Sequence, residues 1–314
     1  MFRNRSTRAL ASLGLTLALA LTAMAGPATI LGKRALADNT ATAIPGSVTP
    51  GANVAFDVYF KNTSNSNLSQ LFLKSKTSDA TPAGGSLVGV ENTTQGTCST
   101  SDGNVYCAFG AVNSLASVTV RVVYTTPSTT GNFTVPFNFS TTGVAPDGGQ
   151  NSHGDDYPTP GVAILDAALN YGGAYTSAGG QLVTDNTTLS KRQNPQYTQV
   201  NAPEAGIGIT VGEATFPCPA SIGKCFGQWS VISVDGGADY SPSGFSVVLG
   251  YEGKIGNAKF VHVLDDGTVQ LLTACSANPA PVAERDPGCY WIDASGSNTI
   301  VTIWLIENGR LSGY

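Results

Sequence analysis

Four stretches of this chain place an apolar residue at every second position, a period that fits strands and not helices. In VAFDVYF, Val54, Phe56, Val58 and Phe60 share one side while Asp57 and Tyr59 point the other way. SVTVRVVY groups Val118, Val120, Val122 and Tyr124, and NFTVPFNFS groups Phe133, Val135, Phe137 and Phe139. GFSVVLGYEG groups Phe245, Val247, Leu249 and Tyr251. Side chains alternate across a strand, so each stretch predicts a strand with one face in a core. LFL at 71–73 adds a further strand, and Pro50-Gly51, NTSNSN at 62–67, PAGG at 82–85 and Asp102-Gly103 supply the turns between.

Several short strands in residues 38–144 predict an antiparallel β-sandwich of immunoglobulin type. Pro136 cannot donate to a ladder, so its strand sits at an edge or carries a bulge. The polar, turn-rich run APDGGQNSHGDDYPTPG, 145–161, reads as a linker. Residues 162–314 then form a second β-rich, sandwich-like domain. KFVHVLDDGTVQLLTAC is a hairpin around Asp266-Gly267. NTIVTIWLI is apolar on both faces and predicts a central strand, with Asn308-Gly309 turning the chain after it. LDAALNYGG at 165–173 is the one helix candidate. The fold class is therefore all-β, an immunoglobulin-like sandwich followed by a second β-rich domain.

The chain begins MFRNRSTRALASLGLTLALALTAMAG, in which Arg3, Arg5 and Arg8 precede an apolar run from about Ala9 to Ala25. This reads as an export signal spanning residues 1–37, cleaved after Ala25 or Ala37; the alternative is an uncleaved membrane anchor. Of the 16 Lys+Arg, five lie in this segment, whereas all 21 Asp+Glu follow it, so the remainder carries 11 − 21 = −10. That balance disfavours nucleic acid and anionic membranes as partners. No transmembrane helix is expected after the signal.

Six cysteines behind an export signal read as disulfides. The sequence-local pairing is Cys98–Cys107, Cys218–Cys225 and Cys275–Cys289, one of several connectivities that six cysteines allow. CSTSDGNVYC, 98–107, is the most explicit: with Asp102-Gly103 as a two-residue turn, Cys98 faces Cys107. At a non-hydrogen-bonded pair the two Cα atoms approach to roughly 4.5 Å, within disulfide range. Loops this short contribute about 2–3 kcal/mol each.

VTPGANVAFDVYFKNTSNSNLSQLFLKSKTSD and GTCSTSDGNVYCAFGAVNSLASVTVRVVYTTP together resemble the repeat domain of bacterial surface proteins catalogued as domain of unknown function number eleven. The resemblance spans residues 45–142. It rests on the proline-glycine opening, the alternating strand, the Asn-Thr turn and the cysteine-bracketed hairpin. It implies a surface-exposed immunoglobulin-like module used as a spacer or adhesive unit, with no catalytic residues. The family usually occurs in tandem copies, and this chain shows one.

Few residues suggest chemistry. His153 with Asp147, Asn151, Asp155 and Asp156 offers oxygen ligands, but without the spacing of a calcium-binding loop, and reads as solvated linker. His262 lies in an apolar strand with no nucleophile motif nearby. Glu204, Glu213, Asp235, Asp239, Glu252, Asp265 and Asp266 are the carboxylates from which a glycosidase pair would be drawn, and most sit in glycine turns. Among the aromatics, Trp304 reads as core, and Trp229 and Trp291 as packed on the disulfides. Tyr157 and Tyr240 are further candidates for a sugar-gripping face, with Tyr171 and Tyr175 the expected exposed, ligand-touching pair.

Together these features predict a secreted or cell-surface structural or adhesive binding protein without catalytic activity. The alternatives are a carbohydrate-binding protein of the extracellular matrix or wall and a glycan-degrading hydrolase using the C-terminal carboxylates. Its partner would be an extracellular protein or glycan surface. No metal or other cofactor is expected.

Overall fold

The computed structural model describes residues 39–141, 158–165, 171–185, 193–237 and 244–314. The signal segment, almost all of the linker and residues 166–170 of the helix candidate lie outside these. The first region carries β1 (Thr40–Ile44), β2 (Ser47–Val48), β3 (Asn53–Lys61), β4 (Leu68–Lys76), β5 (Ser86–Thr93) and β6 (Thr97–Ser101). It continues with β7 (Asn104–Val112), β8 (Ser117–Thr125), β9 (Gly131–Thr134), β10 (Asn138–Ser140) and β11 (Gly161–Ile164).

Two four-stranded sheets, β1-β3-β8-β5 and β10-β4-β7-β6, face each other, and a small sheet β2-β11-β9 closes one end. All four residues of each alternating set in β3, β8 and β9–β10 lie in the core between them. Phe56, Tyr124, Phe133 and Phe137 form its aromatic centre, with ring centroids 5.8–6.3 Å apart. Full burial of such a side chain stabilises by about 1.5–3 kcal/mol. The order β1-β3-β8-β5 is that of the first sheet of an immunoglobulin domain, with the β6–β7 hairpin inserted on the opposite sheet. Pro136 interrupts one long strand, leaving β9 to pair with β11 and β10 with β4.

β11, at the end of the expected linker, pairs with β2 and β9 and so extends the small sheet that carries strands of the first region.

The second region carries β12 (Tyr171–Thr176), β13 (Gly180–Asp185), β14 (Tyr197–Ala202), β15 (Ile207–Ala214), β16 (Trp229–Asp235) and β17 (Phe245–Tyr251). It continues with β18 (Phe260–Leu264), β19 (Val269–Leu271), β20 (Thr273–Ala274), β21 (Cys289–Asp293), β22 (Thr299–Leu305) and β23 (Gly309–Gly313). They form two six-stranded sheets, β12-β15-β16-β23-β18-β19 and β13-β14-β17-β22-β21-β20. The described end of the helix candidate, Tyr171–Gly173, is strand instead. β22 is internal, as its two apolar faces predict, and Phe245, Val247, Leu249 and Tyr251 of its neighbour β17 pack in the same core.

All three local disulfides are present. In the β6–β7 hairpin Cys98 stands directly opposite Cys107, with Cα atoms 4.0 Å apart. Asp102 and Gly103 both take positive φ, 50° and 74°, as the tight turn requires.

The two sandwiches meet through the outer face of sheet β1-β3-β8-β5. Ala55 and Val123 alternate away from the first core, yet both are buried, packed with Ile44 against Tyr175 of β12. Arg121 forms a forked pair with Asp57 (2.6 and 2.7 Å). It also donates to the carbonyls of Gly206 (2.7 Å) and Gly236 (2.9 Å) in the second region. Tyr175 donates to Glu91, and its ring lies 5.8 Å from the Arg121 guanidinium. Gly208 of β15 passes so close to Pro45 that a Cβ there would stand 2.4 Å from the proline nitrogen.

Candidate functional site

The exposed pair expected from the sequence is not exposed. Tyr171 and Tyr175 are 7% and 4% accessible, both held in the contact between the sandwiches. The Tyr171 hydroxyl bonds the Ser47 hydroxyl (2.5 Å) and donates to the Ser47 carbonyl (3.0 Å). Burial pushes both phenols up to about 12. Their rings look exposed in sequence because β12 is glycine-rich and amphipathic by no clear pattern; the first sandwich covers them.

The aromatic surface lies instead on the opposite side of the second sandwich, on the outer face of sheet β13-β14-β17-β22-β21-β20. Strand register aligns Val183, Gln199, Val248, Thr302 and Trp291 in one row across five strands. A second row runs Gln181, Asn201, Ser246, Trp304 and Cys289, and a third contains Tyr197, Gly250, Ile300 and Asp293. At a strand spacing of about 4.8 Å, each five-strand row spans about 19 Å. Val183, Trp291 and Ile300 are 48%, 38% and 41% accessible. Ile300 is diagonal to Trp291 across the β21–β22 pair, within reach of a large ring. The Tyr197 ring packs against Gly250, where a Cβ would stand 2.1 Å from it, so any side chain at that position would displace the ring.

Between the apolar groups runs a ladder of amides. Gln199 Nε2 donates to Gln181 Oε1 (3.0 Å) and Asn201 Oδ1 (2.5 Å), and Asn201 Nδ2 donates to Ser246 Oγ (3.2 Å). Beside the second row an open hollow of about 560 Å³ is lined by Gln181, Asn201, Ser246, Trp304 and Arg285, among others. Trp304 is buried as expected, but in a satellite cluster with the Cys275–Cys289 bridge and Ala280 and not in the main core. It takes the place on that bridge expected of Trp291. Trp229 does pack near Cys225. Charge on the face is sparse: neither five-residue row contains an ionisable side chain. Asp293 at the end of the third row is held below the usual carboxylate range by hydrogen bonds from Ser295.

The groups that chemistry would need lie elsewhere. Glu213 is enclosed in the second core, accepting from Thr198 (2.6 Å) and Ser230 (2.8 Å). His262 is 1% accessible, its Nδ1 paired with Gln270 Oε1 (3.0 Å), and burial lowers its pKa to about 4. Asp266 caps its own turn through Thr268. His153, Asp147, Asn151, Asp155, Asp156, Tyr157, Asp239 and Tyr240 lie outside the described residues. The sequence reading missed Gln181, Tyr197, Gln199 and Asn201. The signal for Tyr197, Gln199 and Asn201 was the alternation in YTQVNA, muted because Thr198 breaks the inward apolar set; Gln181 lies on the preceding strand.

Fold and site thus define an all-β protein of two docked sandwiches, the first immunoglobulin-like, with an open aromatic-and-amide face on the second. No family model and no curated protein matches the chain, so the resemblance of residues 45–142 to a surface-protein repeat gains no support there. Solved structures give distant likenesses. The C-terminal domain of the Streptococcus pyogenes antigen I/II-family protein AspA aligns at 8% identity and TM-score 0.31, over 88% of each chain. A fragment of the major pilin of Streptococcus agalactiae aligns at 11% identity and TM-score 0.26, over 67% of this chain and 84% of that one. A cohesin of Acetivibrio cellulolyticus aligns at 12% identity and TM-score 0.29, over 40% of this chain and 99% of its own. Scores this low carry no argument about activity or partner.

Proposed function

We propose that this is an exported, surface-acting adhesive protein that works by binding and not by turnover, with the outer face of the second sandwich as its contact surface. The carrying observation is that Trp291, Ile300 and Val183 stand exposed on one sheet face whose two central rows carry no ionisable side chain. Large apolar groups grouped on one exposed face mark interaction sites. Export is supported by the basic-then-apolar N-terminus and by three disulfides, which persist in oxidising compartments. A binding role in place of hydrolysis is supported by the enclosure of Glu213 and His262 in the core. The surface-repeat resemblance of residues 45–142 and the division into two sandwiches joined near residue 165 fit the same reading. Among the described residues no helix is long and apolar enough to cross a membrane.

The test is adhesion of the full chain, coated on beads, to extracellular matrix and wall fractions. A Trp291→Ala/Ile300→Ser variant is expected to lose most adhesion while keeping its fold by circular dichroism. Undiminished adhesion, or free thiols in the native protein, would falsify the reading.

A further inference from the structure

We infer that the ligand of this face is an uncharged polysaccharide chain lying across the strands, an inference that rests on the face being the contact surface. Three features select that chemistry. The first is the pairing of flat apolar groups with hydrogen-bonding side chains at one height. Trp291 and Ile300 stand at one side of the face, Tyr197 packs against Gly250, and the amide ladder runs between Gln181 and Ser246. A sugar ring has the same duality: C–H groups on its faces and hydroxyls on its rim. Aromatic rings meet the former and amides the latter.

The second feature is what the ladder leaves unused. Gln181 Nε2 and Gln199 Oε1 have no partner among the described residues, so the ladder keeps unused donors on one amide and an unused acceptor on the next. Covering them with the apolar centre of a protein interface would strand both, whereas a hydroxyl donates and accepts and satisfies either. The third feature is charge. The rows through Gln199 and Asn201 contain no ionisable group, and the charged positions that border them are Arg285 beside the hollow and, at the two ends of the third row, Asp185 and Asp293. A polyanion would find no basic track here. The rows span about 19 Å of paired strands, room for several sugar units in an extended chain. The hollow walled by Gln181, Asn201, Ser246 and Trp304 gives one ring a deeper seat.

The experiment is affinity electrophoresis of the disulfide-intact full chain through gels containing a neutral glucan, xylan, mannan or soluble chitin derivative, with polygalacturonate as the polyanion, at low and high salt. The expected result is retardation by at least one neutral polysaccharide, unchanged by salt. Trp291→Ala should weaken that retardation about tenfold or more, and Gln199→Ala by a smaller factor. Leu115→Ser, at an exposed position on the first sandwich, should leave it intact. Retardation by polygalacturonate alone, suppressed by salt, would overturn the inference, as would neutral-glycan retardation indifferent to Trp291. If no neutral polysaccharide retards the chain while Trp291→Ala/Ile300→Ser still abolishes adhesion to a protein-rich matrix fraction, the ligand is protein. The inference then fails and the contact surface stands. If that double variant adheres normally, the contact surface fails with it.

Discussion

The two sandwiches use their outer faces in opposite ways. On the first, the face of sheet β1-β3-β8-β5 holds a forked ion pair and small apolar groups, and the second sandwich covers it. On the second, the face of sheet β13-β14-β17-β22-β21-β20 holds Trp291, Ile300 and Val183 and stays open. Their interiors differ too. The first encloses uncharged polar groups, such as the Ser75–Tyr124 hydroxyl pair and Asn62, whereas the second encloses Glu213 with two hydroxyls and a neutral His262. The contrast teaches that exposed apolar groups here are not remnants of poor packing. The chain buries Ala55 and Val123 on one outer face, yet leaves a tryptophan in water on another.

The largest expected effect comes from dividing the covered face. Arg121→Ala leaves Asp57 half-buried without its partner and removes both carbonyl contacts to the second region. It should cost about 2–4 kcal/mol in urea unfolding and separate one transition into two. A single transition at wild-type stability would show that the sandwiches are held by something else.

Acid probes the second interior. His262 is held near 4 in the folded protein against 6.5 when unfolded, so between those values the unfolded chain binds the extra proton. Stability should therefore be full above pH 6.5 and fall by up to about 3 kcal/mol as pH drops toward 4. A His262→Gln variant should show a flatter profile over that window, and an NMR titration of the imidazole near 6.5 would contradict it.

Cys98→Ser/Cys107→Ser opens the edge hairpin of the first sandwich and should lower stability by about 2 kcal/mol, leaving the second sandwich's core fluorescence unchanged. Tyr175→Phe removes the hydroxyl bond to Glu91 across the contact, costing about 1–2 kcal/mol without touching glycan retention. Trp291→Ala, on the open face, should shift stability by less than about 0.5 kcal/mol while removing ligand capture. A stability loss comparable to that of Arg121→Ala would mean that Trp291 serves packing instead.

Much of the architecture was legible in the chain. Period-two alternation located the inward faces of β3, β8, β9–β10 and β17, and the Asp-Gly turn set the register that puts Cys98 opposite Cys107. These are local properties, because a strand's pleat and a two-residue turn constrain only their neighbours. β11 was harder. A four-residue strand carries little pattern, and its membership is decided by partners near residues 47 and 132. The candidate face was least legible, since Gln181, Asn201, Ser246 and Trp304 come from four strands spread over more than a hundred residues.

Alternation tells which side chains leave a strand in the same direction, and for this protein it located the inward faces of β3, β8, β9–β10 and β17. It does not tell what lies beyond the outward side. Tyr171, Tyr175, Ala55 and Val123 are buried only because a second sandwich docks on them, and Trp291 is open only because nothing in the described structure does. Outward-facing residues take their environment from whichever surface meets them, and that meeting is made by contacts between distant parts of the chain.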